Sequence, residues 1–284
     1  MDSVRIVTTT KVFPRDYPID TAVSRLAALG FEGLDIGLDH CADRHSDGSY
    51  DLPFMKDGYL KWAEGLRRSA EINGVSFTHS HAPENAGDDP VIERSLRFVA
   101  ELGARYMVLH PVVRDCDGAV IDDPDRFITL NAEAYRYALD KASLYGVTVL
   151  SENLLWGASK DPRNIARFVK AVGSERLGWC FDTGHANCCG YRPEILRECA
   201  AVPLSLHLND NSGRGDEHLI PGDGTFDWDR LVGTLNEIGY AGDYVLEAHH
   251  QSAAAPDEER DAILSRLRGK AGYLRAKMEQ QNET

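Results

Sequence analysis

Residues 4–18 read VRIVTTTKVFPRDYP, a β-branched strand that runs straight into a turn with no glycine. An open, doubly wound parallel sheet that binds a nucleotide carries a glycine-rich loop at this point, because the backbone must come close to the phosphates there. VTTTKVFPRDYP (7–18) has no such glycine. A parallel sheet that begins this way is expected to close on itself.

Working outward, seven more short apolar runs follow: FEGLDIGL (31–38), VSFTHS (75–80), ARYMVLH (104–110), VTVLSE (147–152), LGWCFD (177–182), PLSLHL (203–208) and DYVLEA (243–248). Stretches with helical periodicity separate them, which is the pattern of repeated βαβ units around a parallel sheet. The punctuation agrees. Asp89-Pro90, Asp123-Pro124 and Asp161-Pro162 each set a capping carboxylate before a proline at the first helical position. Gly30, Gly103, Gly146, Gly173 and Gly239 fall where helical patterns end and strands begin. Eight strands in 284 residues give a single α/β domain over 1–284, a closed (β/α)8 TIM barrel, for which roughly 250 residues suffice. A charged helix at about 257–281 is expected outside the barrel, with a frayed end at QQNET.

The formal charge of −14 disfavours nucleic acid, whose phosphates need a basic surface. Six cysteines without CxxC spacing, and an N-terminus without a long apolar stretch, point to a reduced, cytoplasmic protein. The adjacent Cys188 and Cys189 read as free thiols ahead of a soft-metal site. No run reaches the roughly 20 apolar residues of a membrane span.

In a barrel of this kind the reactive groups gather at the C-terminal ends of the strands. Polar residues stand there repeatedly: His79 and His81, His110, Glu152, Asp182 with His185, His207, and Glu247. Alone, each has an ordinary structural explanation. Three carboxylates and several imidazoles converging on one axis would repel or shift their pKa values unless a cation compensated them. An oxygen-rich donor set with imidazole suits Mn²⁺, Mg²⁺, Co²⁺ or Zn²⁺.

SEN (151–153), FDTGHAN (181–187), HLNDNSGRGDEHLIPGDGTFDW (207–228) and GYAGDYVLEA (239–248) together resemble the xylose-isomerase-like superfamily of sugar isomerases and epimerases, in the right order along nearly the whole chain. The resemblance implies that Glu152, Asp182, His207 and Glu247 hold one divalent cation, Mn²⁺ first among the candidates. It implies that His185 lines the substrate site, with His110, His79 and His81 as partners for substrate hydroxyls. In the epimerases of that family two glutamates flank the carbon that loses a proton, and Glu152 and Glu247 occupy those positions. The cation makes that proton acidic enough by polarising the carbonyl and stabilising the enediolate. Return to the same carbon from the opposite face gives an epimer, and return to its neighbour an aldose-ketose isomer.

The expectation is therefore a divalent-metal-dependent isomerase or epimerase of a small keto-sugar or polyol, with the chain's association into a homo-oligomer left open. A dehydratase or lyase acting β to a ketone on a keto-polyol or keto-glycoside would use the same groups. Asp216 and His218, in GDEHLIPGDG, also match a motif of the zinc-dependent apurinic endonucleases of the superfamily, where such residues hold an additional zinc. That keeps a nuclease as the reading from another class, beside a catalytically silent binding protein. Trp156 could stack on a sugar face, Asn153 could orient Glu152 or touch substrate, Asp35 near the barrel rim could bring His40 into play, and Arg214 would matter for an anionic substrate. Substrate identity, its phosphorylation, the metal and the choice among these reactions are not legible in the sequence.

Overall fold

A computed structural model describes residues 4–41, 43–47, 50–87 and 90–282. Asp89, expected to cap a helix, and Glu283 and Thr284, from the end expected to fray, lie outside the described residues; the rest of that end, Gln280 to Asn282, is helical. The strands are β1 (Ile6–Thr9), β2 (Gly33–Gly37), β3 (Asp43–Arg44), β4 (Tyr50–Asp51), β5 (Ser76–Asn85), β6 (Tyr106–His110), β7 (Thr148–Glu152), β8 (Leu177–Asp182), β9 (Ser205–Leu208) and β10 (Tyr244–Leu246). Eight of them form a closed barrel in the order β1-β10-β9-β8-β7-β6-β5-β2, with every neighbouring pair parallel. The expected (β/α)8 barrel is present. β3 and β4 pair as a separate antiparallel ribbon after β2.

The helices are α1 (Ile19–Ala28), α2 (Tyr59–Ile72), α3 (Pro90–Leu102), α4 (Pro124–Ala134), α5 (Arg136–Tyr145), α6 (Pro162–Val172), α7 (Thr183–Cys188), α8 (Trp228–Glu237), α9 (His250–Ala254) and α10 (Asp257–Asn282). The caps work as read. The Asp123 carboxylate accepts from the Arg126 N–H at the start of α4, and that of Asp161 accepts from Arg163 N–H at the start of α6. Gly146 and Gly173 close α5 and α6 with φ of 73° and 63°, a left-handed conformation that a side chain resists. The segment between β6 and β7 holds two helices that break at Tyr135, whose hydroxyl donates to the Leu109 carbonyl.

Alternation along the strands sorts the side chains. On β9, Leu206 and Leu208 join the large core between barrel and helices, while Ser205 and His207 are buried on the other face. Inside the barrel, Tyr106, Val108, Leu150 and Cys180 form a small apolar cluster of their own. Above that cluster the interior turns polar. α10 buries Leu264, Leu267, Ala271, Leu274 and Met278, a 3-and-4 spacing that presents one apolar stripe. The Arg275 guanidinium on the same helix donates to the Glu32 carboxylate at 2.8 Å and to the Val4 carbonyl at 3.1 Å, fastening α10 across the start of β1.

Candidate metal centre

Glu152 and Asp182 are the last residues of β7 and β8, His207 is the third residue of β9, and Glu247 follows β10 directly. Parallel register sets Asp182 beside His207, and Val245 beside His207 on the other flank, so that Glu247 stands two residues further up the inner face. One ligand-type atom from each of Glu152, Asp182, His207 and Glu247 lies within 4.8 Å of all the others, and all four residues are buried. His207 Nδ1 is 2.9 Å from Glu152 Oε1 and 3.4 Å from Glu247 Oε2.

This donor set fits a divalent cation. Glu152 Oε2, Glu247 Oε1 and His207 Nε2 are buried with no hydrogen-bond partner, and unpaired buried carboxylate oxygens are costly without a positive charge close by. The titration behaviour shows the same tension. Burial, reinforced by Glu152 and Glu247 against the opposing pull of His185 and His207, pushes Asp182 up to about 6. Burial also opposes ionisation of Glu152 and Glu247, yet His207, with His110 beside Glu152 and His81 beside Glu247, more than offsets it and holds both well below the usual carboxylate range.

The supporting groups come from strand ends and from α7. Asp182 is held from several sides: its backbone N–H donates to Asn153 Oδ1 at 2.8 Å, its carbonyl accepts from Asn153 Nδ2 at 3.0 Å, and Oδ2 accepts from Asn209 Nδ2 at 2.9 Å. Oδ1 caps α7 by accepting from the His185 N–H at 2.6 Å. Asn153 thus orients Asp182 across the β7–β8 junction, whereas the sequence suggested Glu152 or substrate. Asn209, Thr183 and Gly184 were missed. The Thr183 hydroxyl donates to the Asn209 and His207 carbonyls at 2.7 and 3.1 Å, and a Cβ on Gly184 would lie 1.8 Å from Asn209 Oδ1.

Of the expected substrate contacts, His81, His110 and His185 adjoin the four. His81 Nδ1 is 3.5 Å from Glu247 Oε1, His110 Nε2 is 3.3 Å from Glu152 Oε2, and the two rings meet at 2.9 Å, so the histidine pair spans the gap between the glutamates. His185 Nδ1 donates to the Asn153 carbonyl at 2.8 Å and lies 3.6 Å from both Glu152 and Asp182. His79 shares the face of His81 but sits one layer deeper, its ring nitrogens meeting the Thr78 hydroxyl at 2.8 Å and the Ser205 hydroxyl at 2.9 Å. Trp156 is 52% exposed at the head of a short 3-10 turn.

Asp35 is corrected from the rim to the interior: it is fully buried in β2, both carboxylate oxygens lack a hydrogen-bond partner, and burial, with Glu247 adding to it, pushes it up to about 6. His40 instead meets the Phe13 carbonyl at 2.9 Å. Asp216 and His218 stand at the edge of the cage: Asp216 Oδ2 is 3.4 Å from His185 Nε2 and 3.1 Å from His218 Nε2. Neither belongs to a group whose ligand atoms all lie within 4.8 Å among the described residues, where the second such group is His81, Glu152 and His207. Arg214 borders a separate hollow of about 370 Å³ with Leu155, Lys160, Cys188, Cys189 and Tyr191, lined by none of the four axial residues. Burial pushes the Cys188 thiol up to about 11, so it stands as a neutral thiol. No helix among the described residues is long and apolar enough to cross a membrane.

Comparison with known proteins places this geometry. The protein MJ1311 of Methanocaldococcus jannaschii is 28% identical over 178 residues, 59% of each chain; there, and in the relative y4fM of Sinorhizobium fredii at 56%, the match spans less than two thirds of the relative's length. An inosose dehydratase of Clostridium botulinum is 19% identical over 273 residues, 85% of each chain. Among solved structures, a D-tagatose 3-epimerase-like protein superposes with a TM-score of 0.72 at 19% identity, covering 98% of both chains. The IolI protein with a binding zinc atom superposes with a TM-score of 0.72 at 16% identity, covering 96% of this chain and 97% of that one. At such identities the structures speak for the fold. Residues 23–268 match the family described as the xylose isomerase-like TIM barrel, and the chain belongs to that family.

Proposed function

We propose that the protein is a divalent-metal-dependent isomerase or epimerase of a small keto-sugar or polyol, with Glu152, Asp182, His207 and Glu247 as the metal ligands and Glu152 and Glu247 as the acid-base pair. One observation carries this reading: two buried glutamates reach one small donor cluster from β7 and from the end of β10, each with an oxygen that makes no hydrogen bond and faces only a histidine ring. A bound divalent cation supplies Lewis acidity to the substrate carbonyl, which brings the neighbouring C–H within reach of a carboxylate base. Glu152 would take that proton, and Glu247, ionised at rest, would pick one up from solvent and return it to the other face, Glu152 releasing its own to solvent to close the cycle. His110 and His81, against the outer oxygens of the two glutamates, hold their orientation and offer ring nitrogens to substrate hydroxyls. His185, pinned by the Asn153 carbonyl, closes the side toward Asp216. Mn²⁺ leads as the metal for an oxygen-rich set with one imidazole, and the solved zinc-bearing IolI protein keeps Zn²⁺ in view.

The test is solvent exchange. Protein loaded with Mn²⁺ is incubated with a panel of ketohexoses and ketopentoses in D₂O, and NMR follows deuterium entering the carbon beside the carbonyl. Uptake with a new sugar epimer or isomer is the expected result, and Glu152→Gln abolishes it. Full activity in Glu152→Gln refutes the assignment of the base.

A dehydratase is the second reading, favoured by the inosose dehydratases among the relatives, 19–20% identical over 85–91% of this chain. It shares the first proton abstraction and parts from the epimerase when a β-hydroxyl leaves. An ultraviolet-absorbing enone formed from a keto-inositol selects it. The zinc nuclease loses support from the charge of −14 and from the place of Asp216 and His218 outside the four-residue cage.

A further inference from the structure

The hollow of about 370 Å³ beside the cage falls within the roughly 300–1,000 Å³ of small-molecule sites, and the ligand set gives it no role. It is built from the same loops that carry the site. Leu155 closely follows Glu152 in the chain, and Cys188 and Cys189 end α7, whose His185 lies 3.6 Å from Glu152 and Asp182. Arg214 and Gly215 run straight into Asp216, which is 3.4 Å from the other nitrogen of His185. His185 and the last turn of α7 are therefore the wall between cage and hollow. From the cage through His185 and along one helical turn is about 9 Å.

Charge is the second observation. Lys160, at the end of the 3-10 turn Gly157–Lys160, and Arg214 both line the hollow. Acids outnumber bases by 45 to 31, so carboxylate partners are plentiful, yet neither cation has an ion pair among the described residues. The acids beside them are engaged elsewhere: Asp161 holds Arg163 at 2.7 Å, Asp216 meets His185 and His218, and Glu217 accepts from the Ser212 N–H at 2.6 Å. Burial keeps the thiols of Cys188 and Cys189 neutral. Two positive side chains thus line the hollow, and no carboxylate does.

We propose that this hollow is the subsite for a terminal phosphate, so that the keto-sugar acted on is a phosphate ester whose dianion is held by Lys160 and Arg214. A guanidinium fork beside an ammonium suits the oxygens of a phosphate. The reach also fits. Extended, the five or six single bonds between the carbonyl carbon and phosphorus of a ketopentose or ketohexose phosphate span about 6–8 Å, enough, with the phosphate oxygens beyond, to pass from cage to hollow. This rests on the ketose reading above and narrows its substrate class.

Two measurements on the full chain test it. With Mn²⁺ bound, D-ribulose is compared with D-ribulose 5-phosphate, and D-fructose with D-fructose 6-phosphate; without metal, inorganic phosphate is titrated calorimetrically into chelator-treated protein. The expected result is a kcat/KM at least about 100-fold higher for the phosphorylated member of a pair, as two charge-assisted contacts supply. Arg214→Ala and Lys160→Ala each raise the KM of that ester about tenfold or more with kcat little changed, and Arg214→Lys keeps part of the preference. Both side chains are exposed and unpaired, so the variants fold. Inorganic phosphate binds the metal-free wild type, and the double variant Lys160→Ala, Arg214→Ala loses it. That loss upholds the subsite even where none of the four sugars turns over, so the two readings fail separately. Equal kcat/KM for a sugar and its phosphate, or a double variant that keeps wild-type phosphate binding, overturns the inference while the ketose reading stands. Preference for 5-keto-D-gluconate over both phosphates gives the hollow to a carboxylate and overturns it as well.

Discussion

Asp35 is the buried carboxylate with the least support, and replacing it should make the metal-free protein more stable at neutral pH. Its pKa rises from 3.8 to about 6 because burial, and then Glu247, disfavours the ionised form. The sign follows from linkage. Below pH 3.8 the group is protonated folded and unfolded, and contributes nothing. Between 3.8 and 6 the unfolded chain releases the proton and the folded one keeps it, so stability falls as pH rises; above 6 the full penalty is present. A shift of about two units corresponds to about 3 kcal/mol at 0% exposure. Asp35→Asn removes the charge but leaves a buried amide without partners, which returns about 1 kcal/mol. The net gain is about 2 kcal/mol at pH 8, roughly 4 °C in Tm for a chain of this size, and it turns into a loss of about 1 kcal/mol at pH 3.5, where the charge penalty is gone and the amide cost stays. Urea unfolding of chelator-treated wild type and variant at both pH values measures it. Mn²⁺ should shrink the gain, since a dication near Glu247 favours the ionised Asp35. An Asp35→Asn protein no more stable than wild type at pH 8 refutes the claim that this carboxylate is held against its charge.

Three further outcomes test the site. Glu247→Gln should lose bound metal, read by elemental analysis of gently purified protein, and lower turnover on the order of 10³-fold. Gly184→Ala should destabilise the protein by about 2–3 kcal/mol in urea and weaken metal binding, because its Cβ enters the place of Asn209 Oδ1 and pries Asn209 from Asp182. Trp156→Ala, at a residue 52% exposed, should change stability by no more than about 0.5 kcal/mol. If the indole stacks on the sugar, the same variant raises KM about tenfold with kcat unchanged.

The barrel was legible because its signals are local and repeated: short apolar, β-branched strand runs, aspartate-proline starts and glycine stops recur around the ring. The four axial residues were legible because each interrupts or ends an apolar run, and a strand end is a fixed address in this architecture. What escaped depends on contacts across strands. His79 and His81 look alike in sequence, since period two puts both on the inner face, and only the layer separates the one bonded to Ser205 from the one facing Glu247. Thr183 and Asn209 act through backbone carbonyls and a neighbour's carboxylate, a role that threonine and asparagine fill in many loops. The β3–β4 ribbon has strands of two residues, too short for any alternation to show. Asp210 organises the loop after β9 by accepting from Asn211, Gly222 and Phe226 N–H groups and from the Trp228 indole, and in sequence it is one acid in an acidic stretch.

That loop decides between one metal and several. His218 has a backbone φ of 45°, uncommon for a residue with a side chain, and the strain is sustained by bonds at both ring nitrogens. Nδ1 lies 2.8 Å from the Glu247 carbonyl, which can only accept, and Nε2 lies 3.1 Å from the Asp216 carboxylate. A ring that donates at both nitrogens is an imidazolium, and Asp216 with Glu247 raises the His218 pKa against the effect of burial. An imidazolium has no lone pair for a metal. His249, two residues beyond Glu247, also donates to its carbonyl, at 2.7 Å, so the loop after β9, through His218, and the segment after β10 both hold the backbone of an axial glutamate. In this arrangement Asp216 and His218 fasten Glu247 in place. Asp216→Ala should therefore leave one metal ion per chain by elemental analysis and weaken its binding about tenfold by loosening that grip. A wild-type chain carrying two or three zinc ions, falling to one in Asp216→Ala, would instead make these residues ligands and restore the nuclease reading.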